Sequence, residues 1–293
     1  MLVIIPTKDR LTSLLSTLDS ILVQSRLPTR ILIVDQSERS AKKELQNLLE
    51  KKKIQFTYLH AFPETGLVRA KRRGVETSLE DLVCFLEDDV VLDKKFLERL
   101  FQVFIDKPEA LGVGGVCRNS PGKSMAYACL HWIFYCGIFR DSRPWITLWT
   151  AHEGSKPVLS SALSGGISAW RREVLSAVPF MAEEGFHMME DLHYSRKVIA
   201  RCGPRLWIHP HATLRHFPGQ VGRAQTGEFE TRRIQEIFAF YRYHRKGWPD
   251  FFSFLWLSVG MTFFSILKCF NHASCRPILG HVRGLFFSLR PNG

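Results

Sequence analysis

The chain has 293 residues, 45% of them hydrophobic and 12% aromatic, which excludes a disordered or low-complexity protein and allows a real core plus an appendage. Forty Lys and Arg against 28 Asp and Glu give a net charge of +12, so anionic partners are expected: nucleotides, phosphorylated substrates, an acidic membrane surface or nucleic acid. The basic residues fall in short clusters (Lys51 to Lys53, Lys71 to Arg73, Arg242 to Lys246) without a nucleic-acid motif, and the seven cysteines lack metal-ligand spacing, which fits buried thiols in a reducing compartment.

Leu2 to Ile5 is an all-apolar strand ended by Pro6. With no charged n-region ahead of it, this opening does not read as a signal peptide. After Thr7-Lys8-Asp9-Arg10, the residues Leu11, Leu14, Leu15, Leu18, Ile21 and Leu22 recur at helical spacing. Ile31 to Val34 is a second buried strand, closed by Asp35-Gln36-Ser37. A polar helix over about Ala41 to Lys52, a strand around Phe56 to His60 and a helix opening on a glycine turn, Gly66 to Thr77, lead to the strand Leu82 to Leu86. This alternation of strand and helix calls for a parallel sheet of nucleotide-binding type. Its polar residues gather at the carboxyl ends of the strands, where open α/β sheets bind ligands.

Glu87-Asp88-Asp89, directly after Leu82 to Leu86, is the most informative stretch. Three adjacent acids repel one another and call for a cation; oxygen ligands favour Mg²⁺ or Mn²⁺, which can in turn clamp a diphosphate. On local composition alone, a solvated acidic turn is an equal reading.

A helix over about Asp93 to Ile105 and a strand over Gly112 to Arg118 follow. Met125 to Phe139 is apolar and aromatic, carries Trp132, Phe134 and Tyr135, and precedes Trp145 and Trp149. It is short for a membrane span and reads as an interfacial flap or a buried helix. Ser164-Gly165-Gly166 is a glycine turn leading into a strand and a helix near Arg171 to Ser176. Glu190 to Arg201 is a helix that opens on two acids, which suit its N-terminal dipole, and stops at Gly203. Arg205 to His209 and Ala212 to Phe217 read as two short strands, with His216 at the end. The tail changes character: Phe251 to Phe270 contains one charge, at Lys268, and is about long enough to cross hydrocarbon. Basic flanks on both sides give no orientation. A span, a re-entrant hairpin, an in-plane helix and a buried C-terminal helix all remain open.

Together these pieces resemble a family 2 glycosyltransferase with the GT-A fold over roughly residues 1 to 245. The likeness is carried by Val3-Ile4-Ile5-Pro6-Thr7-Lys8-Asp9-Arg10, Ile33-Val34-Asp35-Gln36-Ser37, Gly66-Leu67-Val68-Arg69-Ala70-Lys71 and Phe85-Leu86-Glu87-Asp88-Asp89, which stands in the place of the family's DXD metal motif. Ser164-Gly165-Gly166 and Glu190-Asp191-Leu192 match its acceptor-side glycine turn and ED motif. The chain departs from the family at Lys8-Asp9, where an aromatic and Asn usually stand, at Gln36, where a second acid is common, at Lys71-Arg72, where Arg-Asn is common, and at Glu87, where the metal motif begins with Asp.

The resemblance implies a mostly parallel GT-A-like sheet flanked by helices, with a GT-A-like domain over 1–225 (a nucleotide-binding half, 1–118, and an acceptor half, 119–225). A helical, membrane-associated region would follow over 226–293. Thr7, Asp9 and Arg10 would border the nucleotide; Asp35 would accept a hydrogen bond from the base or serve only as a strand-end turn residue. Lys71 would contact phosphate or belong to a solvated basic face. Asp89 would bind Mn²⁺ or Mg²⁺, Glu87 would face the ribose or a metal-bound water, and Asp88 would point the other way. His216 would be a further metal ligand or a structural histidine. Asp191 would be the catalytic base of an inverting transfer, with Glu190 beside it, unless both acids merely cap their helix. Gly165 and Gly166 would let backbone approach the donor sugar or acceptor.

The activity this implies is metal-dependent, inverting transfer of a single sugar from a nucleotide-diphosphate sugar to a glycan or lipid-linked acceptor, on the cytoplasmic face of a membrane. The absence of a Gln-x-x-Arg-Trp motif resembles the non-processive members. Two other readings stand beside it. A nucleotidyltransferase would be expected to carry a glycine-rich loop where Pro6-Thr7-Lys8-Asp9-Arg10 stands, and a membrane-attached binding protein with a degenerate GT-A fold would need no intact acids at Asp89 and Asp191.

Overall fold

The computed structural model describes residues 1–50, 54–119, 125–135, 156–219, 226–271 and 273–289. Trp145, Trp149 and the end of the aromatic insert beyond Tyr135 lie outside the described residues. The chain divides into two compact units, one of residues 1–120 with 142–221, the other of residues 121–141 with 222–293.

The first unit holds the strands β1 (Leu2–Thr7), β2 (Arg30–Asp35), β3 (Gln55–His60), β4 (Leu82–Leu86), β5 (Val90–Leu92), β6 (Gly112–Cys117), β7 (Val158–Ser160), β8 (Ile167–Arg171) and β9 (Leu206–His216). Its helices are α1 (Leu11–Leu22), α2 (Lys42–Glu50), α3 (Leu67–Glu76), α4 (Phe96–Asp106), α6 (Arg172–Ala177) and α7 (Glu190–Cys202); α5 (Met125–Phe134) belongs to the second unit. The sheet runs β3-β2-β1-β4-β8-β6-β9-β5, and β7 pairs the first part of β9 on the same edge as β5, away from β6. The first four strands are parallel, as the alternating pattern predicts, and β8 then enters antiparallel between β4 and β6.

The apolar strands are explained by cover on both faces. Val3, Ile5, Ile31, Ile33, Cys84 and Leu86 point to one side, against Leu14, Leu18 and Ile21 of α1 and Phe96, Leu97 and Leu100 of α4. Leu2, Ile4, Leu32, Val34, Val83 and Phe85 point to the other, against Val68 and Ala70 of α3 and Tyr194 and Val198 of α7. Each buried side chain of this size is worth about 1.5–3 kcal/mol relative to exposure, so the register is strongly fixed: a one-residue slip would exchange the two sets.

Two expectations change in detail. The two short strands expected after Gly203 are one long strand, β9. Its pairing with β6 is irregular between Gly114 and Val116, opposite the stretch that holds Pro210. Proline has no N–H to give a ladder and is tolerated at such a bulge, which is why the sequence looks interrupted there. Strand β5 is too short to announce itself, yet it fixes the end of β9 through the pairs Val90↔His216 and Leu92↔Leu214.

The second unit holds α5 (Met125–Phe134), α8 (Thr226–His244), α9 (Trp248–Asn271) and α10 (Arg276–Leu289). Helix α9 contains the uncharged stretch and is the one helix among the described residues long and apolar enough to cross a membrane. Helix α10, with Gly280, His281 and Gly284, has weak intrinsic propensity and no apolar stripe of the usual kind. Its packing against α8 accounts for it: Gly280 lies on the backbone of Gly227 and Gly284 on Ile234.

Candidate active site

At the carboxyl end of β4 the backbone stays extended for one more residue, with the Glu87 N–H donating to the Gly166 carbonyl at 3.0 Å. The three acids therefore alternate. Glu87 and Asp89 turn to His216, whose Nε2 lies 3.1 Å from Glu87 Oε2 and 3.0 Å from Asp89 Oδ1. Asp88 turns away, accepting from Thr7 Oγ1 at 2.7 Å and from Arg10 Nη1 at 3.2 Å. Arg10 also reaches Asp89 Oδ2 at 3.3 Å, so one guanidinium ties two of the acids to the loop after β1.

Glu87, Asp89 and His216 each offer a ligand atom within 4.8 Å of the others. Two carboxylates and an imidazole fit a divalent cation, and the nitrogen donor favours Mn²⁺ over Mg²⁺. The β5–β9 pairing brings His216 into this cluster. Asn119, which the sequence did not single out, clamps the His216 backbone: its side chain accepts from the His216 N–H and donates to its carbonyl, both at 2.7 Å. Burial pushes the Glu87 carboxyl above its usual range, with His216 pulling the other way. Burial also dominates at Asp88, raising it despite the Thr7 hydroxyl and Arg10. At Asp89 burial again opposes ionisation, but His216, the Gly219 N–H and Arg10 outweigh it and hold the carboxyl low. Asp89 is thus the most readily ionised of the three acids.

Beside this cluster, over the ends of β1 and β2, lies a cavity of about 410 Å³ lined in part by Thr7, Asp9, Arg10, Asp35, Ser37 and Arg39. Asp9 has a left-handed backbone, φ 56°, which Asp tolerates better than most residues, and its N–H donates to Ser37 Oγ at 2.7 Å. Asp35 is buried; Oδ1 accepts from the Ser37 N–H at 2.8 Å and Oδ2 from the Tyr58 hydroxyl at 2.5 Å. Tyr58 is a second residue the sequence did not reveal, and burial with the Asp35 bond pushes its hydroxyl up to about 12. Gln36 explains one departure from the family pattern. Its side-chain amide accepts from the Gly66 N–H at 3.1 Å and donates to the Gly66 carbonyl at 3.3 Å, a pair of bonds an ionised acid cannot make.

A third group forms around the glycine turn. Lys71 is 1% exposed and donates to Glu190 Oε1 at 2.5 Å, so it does not belong to a solvated basic face. Its ammonium also stands 5.6 and 5.7 Å from the rings of Phe85 and Phe180. A Cβ on Gly165 would strike the Glu190 carboxylate and lie 2.6 Å from Lys71 Nζ, while one on Gly166 would strike Glu87. The glycines therefore make room for the chain's own charged side chains. Asp191 follows Glu190 at the start of α7; its carboxylate accepts from the Leu192 N–H at 2.7 Å and the Gly165 N–H at 3.4 Å. Ahead of α7, Glu184 accepts from Lys197 at 2.6 Å and pairs with His193 at 2.8 Å, which anchors the loop that precedes the two acids.

The expected residues thus form three adjoining groups: Thr7, Asp9, Arg10 and Asp35 at the cavity, Glu87, Asp89 and His216 beside it, and Lys71, Gly165, Glu190 and Asp191 at the glycine turn. Arg10 links the first to the second, and Gly166 against Glu87 links the second to the third. A parallel sheet continued by an antiparallel strand, with such acids at the carboxyl end of its central strand, is the GT-A type of glycosyltransferase fold. Residues 2–178 match the glycosyl transferase family 2 model, and the chain belongs to that family. It is a glycosyltransferase, and the nucleotidyltransferase reading falls away.

Solved structures similar to it include the following three. The mannosyltransferase PcManGT from Pyrobaculum calidifontis, in complex with GDP-Man and Mn²⁺, matches with a TM-score of 0.63 at 16% identity, over 98% of this chain and 87% of that one. GalNAc-T7 with UDP, GalNAc and Mn²⁺ matches with a TM-score of 0.59 at 16% identity, over 80% of this chain and 47% of that one. Residues 1-349 of S. aureus TarS match with a TM-score of 0.57 at 14% identity, over 92% and 73%. At these identities the likeness establishes the fold. No curated protein matches the sequence.

Proposed function

We propose that this protein transfers one sugar, with inversion, from a nucleotide-diphosphate sugar to a glycan or lipid-linked acceptor at the cytoplasmic face of a membrane. The observation that carries this reading is the convergence of Glu87, Asp89 and His216 beside the cavity at the ends of β1 and β2. Glycosyltransferases of the same fold have been solved with GDP-Man and Mn²⁺ and with UDP, GalNAc and Mn²⁺, which supports a nucleotide-sugar donor and Mn²⁺ as the cofactor.

In this reading the base and ribose occupy the cavity, with Thr7, Asp9 and Arg10 at its border and Asp35 as an acceptor for a base N–H. Tyr58 and the Ser37 N–H fix the Asp35 carboxylate in place. Glu87, Asp89 and His216 would hold the divalent ion, which when bound would supply positive charge to offset that developing on the departing diphosphate. Asp191 takes the proton of the acceptor hydroxyl as that oxygen attacks the anomeric carbon. Lys71 acts through Glu190: its buried ammonium fixes the neighbour of the base. The exposed apolar face of the C-terminal helices supports association with a membrane, and that location suits a lipid-linked acceptor.

The test is calorimetric titration with UDP, GDP, dTDP and CDP, each with and without Mn²⁺, on the native chain and on Asp89→Ala. One nucleotide should bind in a Mn²⁺-dependent manner, and Asp89→Ala should remove that dependence. Binding that ignores both the metal and the substitution would defeat the metal assignment; no binding at all would defeat the donor assignment.

A further inference from the structure

Helix α10 is inside out by the standard of a helix in water. It buries Gly280, His281, Gly284 and Ser288 and exposes Leu279, Val282, Phe286, Phe287 and Leu289. A surface helix of a water-soluble protein does the reverse. Helix α9 does bury an apolar stripe, Phe254, Leu257, Met261 and Phe264, but its opposite face is also apolar, with Phe252, Val259, Phe263 and Ile266 exposed. Helix α5 extends the same face: Phe134 fills the notch at Gly260, Trp256 donates to the Ile133 carbonyl at 2.8 Å, and Trp132 is 64% exposed beside them. A continuous apolar patch of this kind marks an interaction surface.

Helix α8 decides how that surface meets its partner. Phe254, near the start of α9, stacks on Tyr241 of α8 at 4.1 Å, and Lys268, near its end, pairs with Glu230 of α8. The segment of α8 from Glu230 to Tyr241 therefore runs alongside α9, in the opposite direction. That segment carries the Arg233–Glu230 pair and the exposed Arg232, which is bonded to Glu228. Were α9 to cross a bilayer, these charges would lie at the depth of the hydrocarbon, where exposed ionic groups are not tolerated. Helix α10, 14 residues or about 21 Å long, is also too short for the hydrocarbon core of about 30 Å. Basic residues stand exposed at the helix ends, Arg242, Arg245, Lys246 and Arg276, and Arg283 stands on the outer face of α10 between Leu279 and Phe287, from where its long side chain can reach lipid headgroups; Trp132 and Trp248 are exposed as well.

From this arrangement we infer that α9 and α10 lie in the plane of an anionic lipid surface with their outer faces sunk into it, and that α9 does not span it. Helix α8 stays on the water side and carries both. This rests on the membrane association proposed above and gives it a definite geometry.

The experiment uses the full chain with every cysteine except the buried Cys84 replaced by serine, and single spin labels at Phe252→Cys, Val259→Cys, Phe263→Cys and Phe270→Cys on α9 and at Arg232→Cys on α8. Depth is read from oxygen against nickel-chelate accessibility on vesicles of phosphatidylcholine with and without phosphatidylglycerol. All four α9 labels should sit at one shallow depth, about 5–10 Å, and the Arg232 label in water. Vesicle binding should weaken at least about tenfold without the anionic lipid. A depth that rises to a maximum mid-helix and falls again would establish a span and overturn the inference. Labels left in water, with no protein pelleting with vesicles, would overturn it in the other direction, and equal binding to both vesicles would remove its anionic part. Nucleotide titration in vesicle-free buffer reads the transferase assignment separately, so either can fail without the other.

Discussion

Lys71 and Glu190 are 119 positions apart in the chain and form the most deeply buried ion pair among the described residues. Removing one partner of such a pair leaves the other charge without compensation in the interior. Lys71→Met should therefore lower unfolding stability by about 3–5 kcal/mol, and Lys71→Met combined with Glu190→Gln should recover most of that loss, as read by urea unfolding. If the double variant is no more stable than the single one, the pair is not what Lys71 contributes. Asp191→Asn tests a different role. A general base is worth about 10²–10⁴ in rate, so kcat should fall by that factor while nucleotide affinity stays near native; substantial residual turnover would remove Asp191 from the role. Lys71, Gln36 and Asp9 all depart from the family's usual residues, and the structure gives each a local task that the sequence alone left open.

At the scale of elements, the strand β2 is tied to the turn before β4. Arg30 at the start of β2 makes two bonds to Glu80, Nε to Oε1 at 2.7 Å and Nη2 to Oε2 at 2.9 Å. The Arg30 bond is the main reason the Glu80 carboxyl drops from 4.5 to about 2. A depressed folded-state pKa stabilises the fold above the unfolded value and is lost as pH falls through the folded one. Glu80→Gln should thus cost about 1 kcal/mol at pH 7, since the pair is only partly buried and solvent still screens it. Its deficit should shrink as pH drops from 4.5 towards 2; a deficit constant over that range would mean the ionic pair is not its cause. The element pattern was largely legible: β1 to β4 with α1 to α3 follow from periodicity and turn residues. Strands β5 and β7, of three residues each, and the continuity of β9 through Pro210 were not, because they depend on pairing partners far away in the chain.

For the molecule as a whole, the proposed membrane association would draw on both the net charge of +12 and the apolar outer face of α9 and α10. Coulombic attraction to an anionic surface is screened within about 8 Å at physiological salt, whereas the apolar contribution is not. Association with anionic vesicles should therefore weaken with added salt without vanishing; complete release by salt would mean that the aromatic face does not insert. Phe263→Glu, on the outer face, should shift the protein from the membrane-pelleting to the soluble fraction while leaving nucleotide binding unchanged. An unaltered distribution would mean that this face is not the one in contact with lipid.

The sequence by itself determined the parallel half of the sheet, the acids at the end of β4 and the family, because these are written in local periodicity and in short motifs whose chemistry needs fixed residue types. It placed Asp89, His216 and Asp191 as candidates but could not say what stood beside them. Tertiary structure decided that Glu87 joins Asp89 and His216, that Lys71 turns inward to Glu190, and that Tyr58 and Asn119 secure the Asp35 side chain and the His216 backbone. It also decided which face of α9 and α10 is outermost. Those are relations between residues on different elements, and no local pattern encodes them, because they arise only when strand pairing and helix packing bring distant segments within a few ångströms.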